Sequence, residues 1–286
     1  MAENAENAGN AGNRASEYPE GTPCWVDAQL PDVEAGKRFY GELFEWTFED
    51  QPEQPEWPAP ASRPAPSGPS GSAQASPPLG TVRALLDGEP VASLAHKTDG
   101  RLPTVWTVSF ATPDVGALCR RIVAAGGQLV SAPRPVGELG VTALVTDPED
   151  AVFALWQPGD RPGFGRRHER GSFAWAELYT RDTEAADAFY GGLFHDALFG
   201  EGAEPDFGRA PVSDVFPAEM PPHFLVHFAV EDPEATMAEV TRLGGRVQVP
   251  PFDASYGTVA VVTDDQGASF ALLARRPGRP ADPLTR

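Results

Sequence analysis

The feature that most constrains the fold of this chain is an internal duplication, because a repeated sequence predicts repeated structure. Three blocks occur in the same order in both halves. They are LPDVEAGKRFYGELF (Leu30–Phe44) and TRDTEAADAFYGGLF (Thr180–Phe194), VSFATPDVGALCRRIVAAGGQLV (Val108–Val130) and VHFAVEDPEATMAEVTRLGGRVQV (Val226–Val249), and VTDPEDAVFALW (Val145–Trp156) and VTDDQGASFALL (Val262–Leu273). Three matches in one order exclude coincidence, so the chain contains two copies of one unit.

The repeats and the local composition set the domain boundaries. We predict a first unit at 21–157, a linker at 158–171, a second unit at 172–276, and polar tails at 1–20 and 277–286. Residues 51–78 are rich in proline, glycine and serine, which predicts a flexible insertion within the first unit. A lid over a pocket is the alternative. The linker contains a basic cluster that we interpret as solvated, with docking onto an acidic face as the other option.

The hydrophobic pattern within each copy predicts an α+β fold. CWVDAQL (Cys24–Leu30) alternates apolar and polar residues as a half-buried strand does, and Asp32 then stands where a helix N-cap belongs. The same strand-to-helix pattern recurs in the second half of each copy, so each copy is a pair of βαβββ-like modules. Only about 197–222 remain for the later strands of the third module, which predicts a reduced sheet edge there. Whether modules pair within or between copies is left open.

Composition excludes several classes of partner. The chain has 286 residues and a formal net charge of -19, which disfavours binding to nucleic acid or to anionic membranes. No apolar run is long enough to span a bilayer, and the N-terminal stretch lacks the apolar core of a signal peptide. We therefore expect a cytoplasmic protein whose partner is a small molecule, with a homodimer left open. The two cysteines, Cys24 and Cys119, do not form a disulfide framework.

The motifs D-x-x-A-x-x-x-F-Y, a helix ending at Gly-Gly, and V-T-D-x-x-x-x-x-F-A-L resemble those of the vicinal-oxygen-chelate superfamily, which includes glyoxalases, bleomycin-resistance proteins and extradiol dioxygenases. The resemblance covers nearly all of 21–275 and is closest to two-domain members, often labelled glyoxalase-like or hydroxylase-like. It implies paired βαβββ modules whose sheet curls into a cup. In this superfamily the cup holds a divalent metal, or a bulky ligand without a metal in the drug-binding members.

The resemblance also implies where metal ligands would lie. The first-strand position corresponds to Trp25 and Trp175, the fifth-strand position to Thr107 and Leu225, and the last-strand position to Ala154 and Ala271. Indole, hydroxyl and methyl groups do not hold a divalent cation. We therefore predict no metal and no other cofactor.

Strand alternation places a set of side chains in the predicted cups, and we take them as candidate ligand contacts. They are Trp25, Asp27, Thr107, Trp156, Trp175, Glu177, His223 and His227. His223 and His227 are separated by about 13 Å at ~3.3 Å per residue of strand, too far to share one ion. Simple packing of the tryptophans, and simple exposure of the histidines, remain alternatives. His96, His168 and His195 are interpreted as surface or loop residues.

Three functions follow from these candidates. The first is a metal-free protein that binds a hydrophobic or aromatic small molecule, for sequestration, resistance or as an accessory to a natural-product pathway. The second is a metal-independent hydroxylase-, lyase- or cyclase-like enzyme in which Asp27, Glu177 or His227 moves a proton. The third is a metalloenzyme with displaced ligands.

Overall fold

The computed structural model of the chain describes residues 18–51, 81–97, 104–200, 203, 206–217 and 219–276. Most of the predicted insertion and of the N-terminal tail, and all of the C-terminal tail, lie outside the described residues. The last three residues of the expected N-terminal tail belong to the folded part, since Tyr18 is buried and its hydroxyl donates to the carbonyl oxygen of Phe164 over 3.0 Å. No described helix has the length and apolarity needed to cross a membrane.

The first copy forms one sheet with the strand order β2-β3-β4-β1-β5-β8-β7-β6. Its elements are β1 (Pro23–Leu30), α1 (Val33–Phe44), β2 (Thr47–Asp50), β3 (Thr81–Leu86), β4 (Glu89–His96), β5 (Trp106–Ala111), α2 (Val115–Ala124), β6 (Gln128–Pro135), β7 (Gly140–Thr146) and β8 (Val152–Pro158). Strands β1 and β5 pair antiparallel and join the two modules. The modules of the first copy therefore pair with each other.

The second copy repeats this arrangement with fewer strands, in the order β10-β9-β11-β14-β13-β12. Its elements are β9 (Phe173–Thr180), α3 (Thr183–Leu193), α4 (His195–Phe199), β10 (Phe207–Pro211), β11 (His223–Ala229), α5 (Pro233–Arg242), β12 (Arg246–Ala254), β13 (Gly257–Thr263) and β14 (Ser269–Arg275). Strand β10 pairs parallel with β9 as β4 does with β1. Counterparts of β2 and β3 are missing from the described part of this module, which confirms the reduced edge.

Each of the four longer helices that cross between strands begins at an aspartate. The carboxylate accepts a hydrogen bond from a backbone N–H of the first turn, and these N-caps are Asp32, Asp114, Asp182 and Asp232. Such a cap stabilises a helix by about 1 kcal/mol. Helix α2 ends before Gly126, whose φ of 98° favours glycine. The predicted cap at Asp32 and the predicted stop are confirmed.

The helix-covered faces of the two sheets share one apolar core. Aromatic rings from both copies interlock there: Tyr40 lies 5.9 Å from Phe270, and Phe110 stacks 5.4 Å from Phe194. The core cluster contains buried residues of all four modules. The opposite, helix-free faces of the sheets are the predicted cups.

Two buried tyrosine–aspartate hydrogen bonds cross between the copies. The hydroxyl of Tyr40 donates to Asp264 over 2.9 Å, and that of Tyr190 donates to Asp147 over 3.1 Å. The other oxygen of each aspartate accepts two backbone N–H groups of its own turn. The F-Y and V-T-D motifs of one copy thus bind those of the other, and their role is to hold the two copies together.

Candidate functional site

The helix-free face of the first sheet gathers the predicted residues of copy one. Asp27 of β1 lies in register with Thr107 of β5, and Trp25 lies in register with Ser109, which in turn pairs with Ala154 of β8. Residues in register on paired strands project to the same face. The structure therefore brings Trp25, Asp27 and Thr107 together as predicted.

A residue of the linker, Arg161, completes this face. Its guanidinium carbon lies 4.5 Å from the ring centre of Trp25 and 4.4 Å from that of Trp156. Both indoles are almost fully buried, at 3% exposure, so they hold the guanidinium rather than present a free aromatic wall. Trp156 shares this cluster with Trp25, as strand parity predicted.

Asp27 is the half-buried carboxylate of this site. Burial raises its pKa to about 6, and the charges of Arg161 and Arg134 oppose that rise. Among the described residues, its side chain forms no hydrogen bond and no ion pair, and Thr107 beside it is also half-buried. A carboxylate left unpaired next to a fixed guanidinium is free to bind a ligand group.

Copy two places Glu177 at the position equivalent to Asp27, but in a different state. Glu177 is 4% exposed, and one of its oxygens accepts hydrogen bonds from the Trp175 indole (2.7 Å) and the Tyr256 hydroxyl (2.8 Å). Burial raises its pKa to about 7, while these two hydrogen bonds oppose the rise. This carboxyl group is engaged by the protein itself.

The histidines of β11 are also occupied or enclosed. His227 is fully buried, its Nδ1 lies 3.1 Å from the carbonyl oxygen of Leu225, and burial lowers its pKa to about 3. Its Nε2 is buried without a partner. His223 is half-buried and stacks on Tyr179 at 5.6 Å. Neither imidazole forms a hydrogen bond with Glu177, so these predicted cup residues of copy two form no carboxylate–imidazole pair with each other.

Side chains of copy two fill its own cup. Leu225 is 1% exposed and Tyr179 is 2% exposed. They pack in a second apolar cluster with residues of the neighbouring strands and of the segment after β10, among them Val212, Phe216, Val259, Val261 and Leu273. A ligand could enter this face only after these side chains move, whereas Asp27 and Thr107 on the first sheet are half-buried.

The residues at the family's metal-ligand positions do not fit a metal ion. In copy one the aligned row is Trp25, Ser109 and Ala154. In copy two, Trp175 pairs with His227, which pairs with Ala271. The fifth-strand position in line with the others is therefore Ser109 or His227, two residues beyond the predicted Thr107 and Leu225. The copy-one row contains no imidazole, and the single imidazole of the copy-two row does not make a metal site. No group of three or more His, Cys, Asp or Glu able to hold a metal occurs within the described ranges.

The linker contradicts one interpretation made from sequence. Its basic cluster is not simply solvated, because Arg167 and His168 both bind the buried Asp206 of copy two, the His168 contact being 2.7 Å. Arg166 binds Asp87 of copy one over 3.0 Å. The alternative interpretation, that the linker docks onto acidic groups of the two copies, is therefore confirmed. Of the other histidines, His195 is exposed and His96 ends β4 half-buried.

Sequence reasoning missed Arg161 and Tyr256, the partners of the two tryptophan–carboxylate pairs. Arg161 lay in a segment interpreted as linker, and the only signal for it was the unusual concentration of positive charge there in an acidic chain. Tyr256 lies in the turn between β12 and β13 and carries no pattern of its own. Both reach the site through contacts between segments distant in the sequence.

Two mixed sheets, each formed by two βαβββ-type modules with helices on one face, define the fold class of this protein. The chain belongs to the Glyoxalase/Bleomycin resistance protein/Dioxygenase superfamily, whose sequence profile matches residues 25–155. It is similar to CFP32 of Mycobacterium tuberculosis, a proposed glyoxylase, with 34% identity covering 92% of this chain and 98% of the relative. It is also similar to the anthracycline biosynthesis protein DnrV of Streptomyces peucetius, with 32% identity covering 93% and 98%. Among solved structures, the 2,3-dioxygenase LapB of Pseudomonas sp. KL28 shares the fold, with a TM-score of 0.57, 13% identity, and coverage of 91% and 96%.

Proposed function

We propose that this chain binds a hydrophobic, aromatic small molecule without a metal ion, on the helix-free face of the first sheet. The observation that carries the proposal is the asymmetry of the two faces. Asp27 and Thr107 are only half-buried, whereas their equivalents Glu177 and Leu225 are 4% and 1% exposed. One chain then binds one ligand, in copy one.

Two further points support a pathway-accessory, sequestration or resistance role. The residues at the metal positions provide too few ligand groups to hold a metal ion, so the ligand's oxygens would bind protein groups directly. The relative DnrV is named for anthracycline biosynthesis, and anthracyclines are flat polycyclic aromatic molecules. A pocket that combines apolar surface with few polar groups suits such a ligand.

Isothermal titration with a panel of three- and four-ring aromatic compounds tests the proposal. We expect one site per chain in the wild-type protein. Thr107→Phe fills the first face and should weaken binding at least tenfold, while Glu177→Gln, at the equivalent face of copy two, should leave the affinity unchanged. Loss of binding in Glu177→Gln but not in Thr107→Phe would place the ligand in the wrong copy and refute the proposal.

A second candidate function is a metal-independent proton-transfer enzyme. The single observation that favours it is that Asp27 has a raised pKa and no hydrogen-bond partner among the described residues. A carboxylate that is unpaired and has its pKa raised to about 6 is suited to act as a general base near neutral pH. Transfer of deuterium from solvent into a bound aromatic ketone, followed by NMR, tests it. Exchange that is catalysed by the wild-type protein and abolished in Asp27→Asn would support catalysis; equal exchange in both would exclude it.

A further inference from the structure

We infer that Arg161 provides a fixed positive charge in the copy-one site, and that this charge binds an anionic oxygen of the ligand. This inference deepens the proposed function and rests on it. It assigns the charged contact with the ligand to Arg161, a linker residue that lies outside the repeated unit.

The position of Arg161 is fixed before any ligand binds. Its backbone N–H donates to the carbonyl oxygen of Leu139 over 3.2 Å, and its own carbonyl oxygen accepts from the Trp156 indole over 3.0 Å. The two indole rings then hold the guanidinium. A group held this way loses little conformational entropy when it binds a partner.

Within the described residues, the guanidinium of Arg161 has no protein acceptor, and its Nε is the buried donor. Indole faces attract the charge of Arg161 but accept no conventional hydrogen bond from its N–H groups, and its Nε is buried without a partner. No ion pair or side-chain hydrogen bond of Arg161 occurs in the part of the chain that the structure covers. A buried donor without an acceptor costs about 1–3 kcal/mol, so an acceptor from a ligand would be favoured.

The local charge selects an anionic acceptor. The chain as a whole carries a net charge of -19. Yet the charges of Arg134 and Arg161 both act on Asp27, and Arg83, which pairs with Glu49 over 2.7 Å, also acts on Arg161. Burial lowers the pKa of Arg161 to about 10, while the charge of Asp27 opposes the fall, so Arg161 stays charged at neutral pH. A negatively charged ligand oxygen would form a charge-assisted hydrogen bond with the Arg161 guanidinium in a partly desolvated environment.

Asp27 defines the second polar contact. It feels the charge of Arg161 without forming an ion pair with it, so a gap separates the two groups. A ligand oxygen placed against Arg161 would leave an adjacent hydroxyl able to donate to the Asp27 carboxylate. A ligand that carries an anionic oxygen and a neighbouring hydroxyl could therefore contact both groups.

The test uses alizarin (1,2-dihydroxyanthraquinone), whose colour reports ionisation of its phenol, together with 1,2-dimethoxyanthraquinone and unsubstituted anthraquinone. We expect alizarin to bind at least tenfold more tightly than the other two probes. Its phenol should also ionise at least one pH unit lower when bound than when free. Arg161→Met should abolish the shift and the tenfold preference, Arg161→Lys should retain part of both, and Arg166→Met, a linker arginine away from the site, should change neither.

The outcomes separate the two claims. If all three probes bind equally well and alizarin shows no shift on the wild-type protein, the inference about Arg161 is overturned while the proposed function stands, whatever the folding of the variants. If none of the probes or the wider aromatic panel binds, both claims fail. If the shift is present on the wild-type protein and persists in a folded Arg161→Met protein, a different group supplies the charge and the inference is wrong.

Discussion

At the scale of single residues, the two copies differ in how their equivalent carboxylates are hydrogen-bonded. Asp27 and Glu177 occupy equivalent strand positions, each two residues beyond a tryptophan. In copy two the indole turns to donate to the carboxylate, and Tyr256 donates to the same oxygen. In copy one the Trp25 indole donates instead to Ser93 over 3.1 Å, which leaves Asp27 unpaired. The choice of partner by one indole N–H separates an enclosed carboxyl group from an available one.

Glu177 should make the stability of the protein depend on pH. Its pKa is about 7 in the folded state against 4.5 ordinarily, because burial disfavours the charge. Its favourable contribution is therefore complete below about pH 4.5 and is lost as pH rises through 7. A shift of this size corresponds to about 3 kcal/mol. Glu177→Gln removes the charge, so its stability relative to wild type should rise by about that amount between pH 5 and pH 8.

Urea unfolding at several pH values in this range checks the prediction. Glu184→Gln, an exposed position on α3, is the matched control and should follow the pH dependence of the wild-type protein. Parallel curves for Glu177→Gln and wild type would mean that Glu177 does not titrate in this window.

Local residue patterns predicted the direction of most site side chains, and only part of their environment. Alternation along a strand is a local property, so the facing of Trp25, Asp27, Trp175 and Glu177 follows from the sequence. Whether a cup is open depends on which distant side chains fill it. No pattern near Glu177 indicates that Tyr256 will cover it, and none near Trp25 indicates that Arg161 will.

At the scale of elements, the cross-copy tyrosine–aspartate bonds offer a matched pair of variants. The Tyr40 hydroxyl donates to Asp264 and also accepts from the Trp106 indole over 3.0 Å. The equivalent Tyr190 donates to Asp147 and has Phe224 where the first site has Trp106, so no indole N–H is involved.

We therefore expect Tyr40→Phe to destabilise the protein more than Tyr190→Phe, by about 3 against about 1–2 kcal/mol, because it leaves both a buried donor and a buried acceptor unpaired. Urea denaturation of the two variants measures this difference. Trp106→Phe leaves a cavity in either background, but it should cost less in the Tyr40→Phe protein than in the wild-type protein, because there it also removes the unpaired indole N–H. An equal cost in the two backgrounds would contradict the coupling.

The sequence also predicted the elements well where the repeat is complete. The N-cap at Asp32 and the shortened third module are confirmed because caps and chain length are local constraints. The roles of the F-Y and V-T-D motifs could not be read from spacing, since Tyr40 and Asp264 meet only when the two copies pack.

At the scale of the whole molecule, the two copies share one core and should unfold together. Buried residues of both copies belong to one apolar cluster, and strands β5 and β11 approach across it. Five of the six tryptophans belong to copy one, so fluorescence reports mainly that copy, while far-ultraviolet circular dichroism reports both. We expect the two signals to give coincident urea transitions. Hydrogen exchange of peptides from β5–β8 and from β11–β14 should accelerate over the same range of urea concentration. A plateau between two separate unfolding transitions would contradict a common core.

The placement of Arg161 has a consequence for how this architecture can be cut and recombined. A boundary drawn after residue 158 keeps every strand of the first sheet but removes the guanidinium that its two tryptophans hold. The halves are therefore not interchangeable modules, although they descend from one repeated unit. Splitting the gene between them, or transplanting the first half alone into another protein, would preserve the scaffold and delete the charge that we propose reads the ligand. The first copy therefore includes, as a structural unit, the connecting segment as far as Arg161.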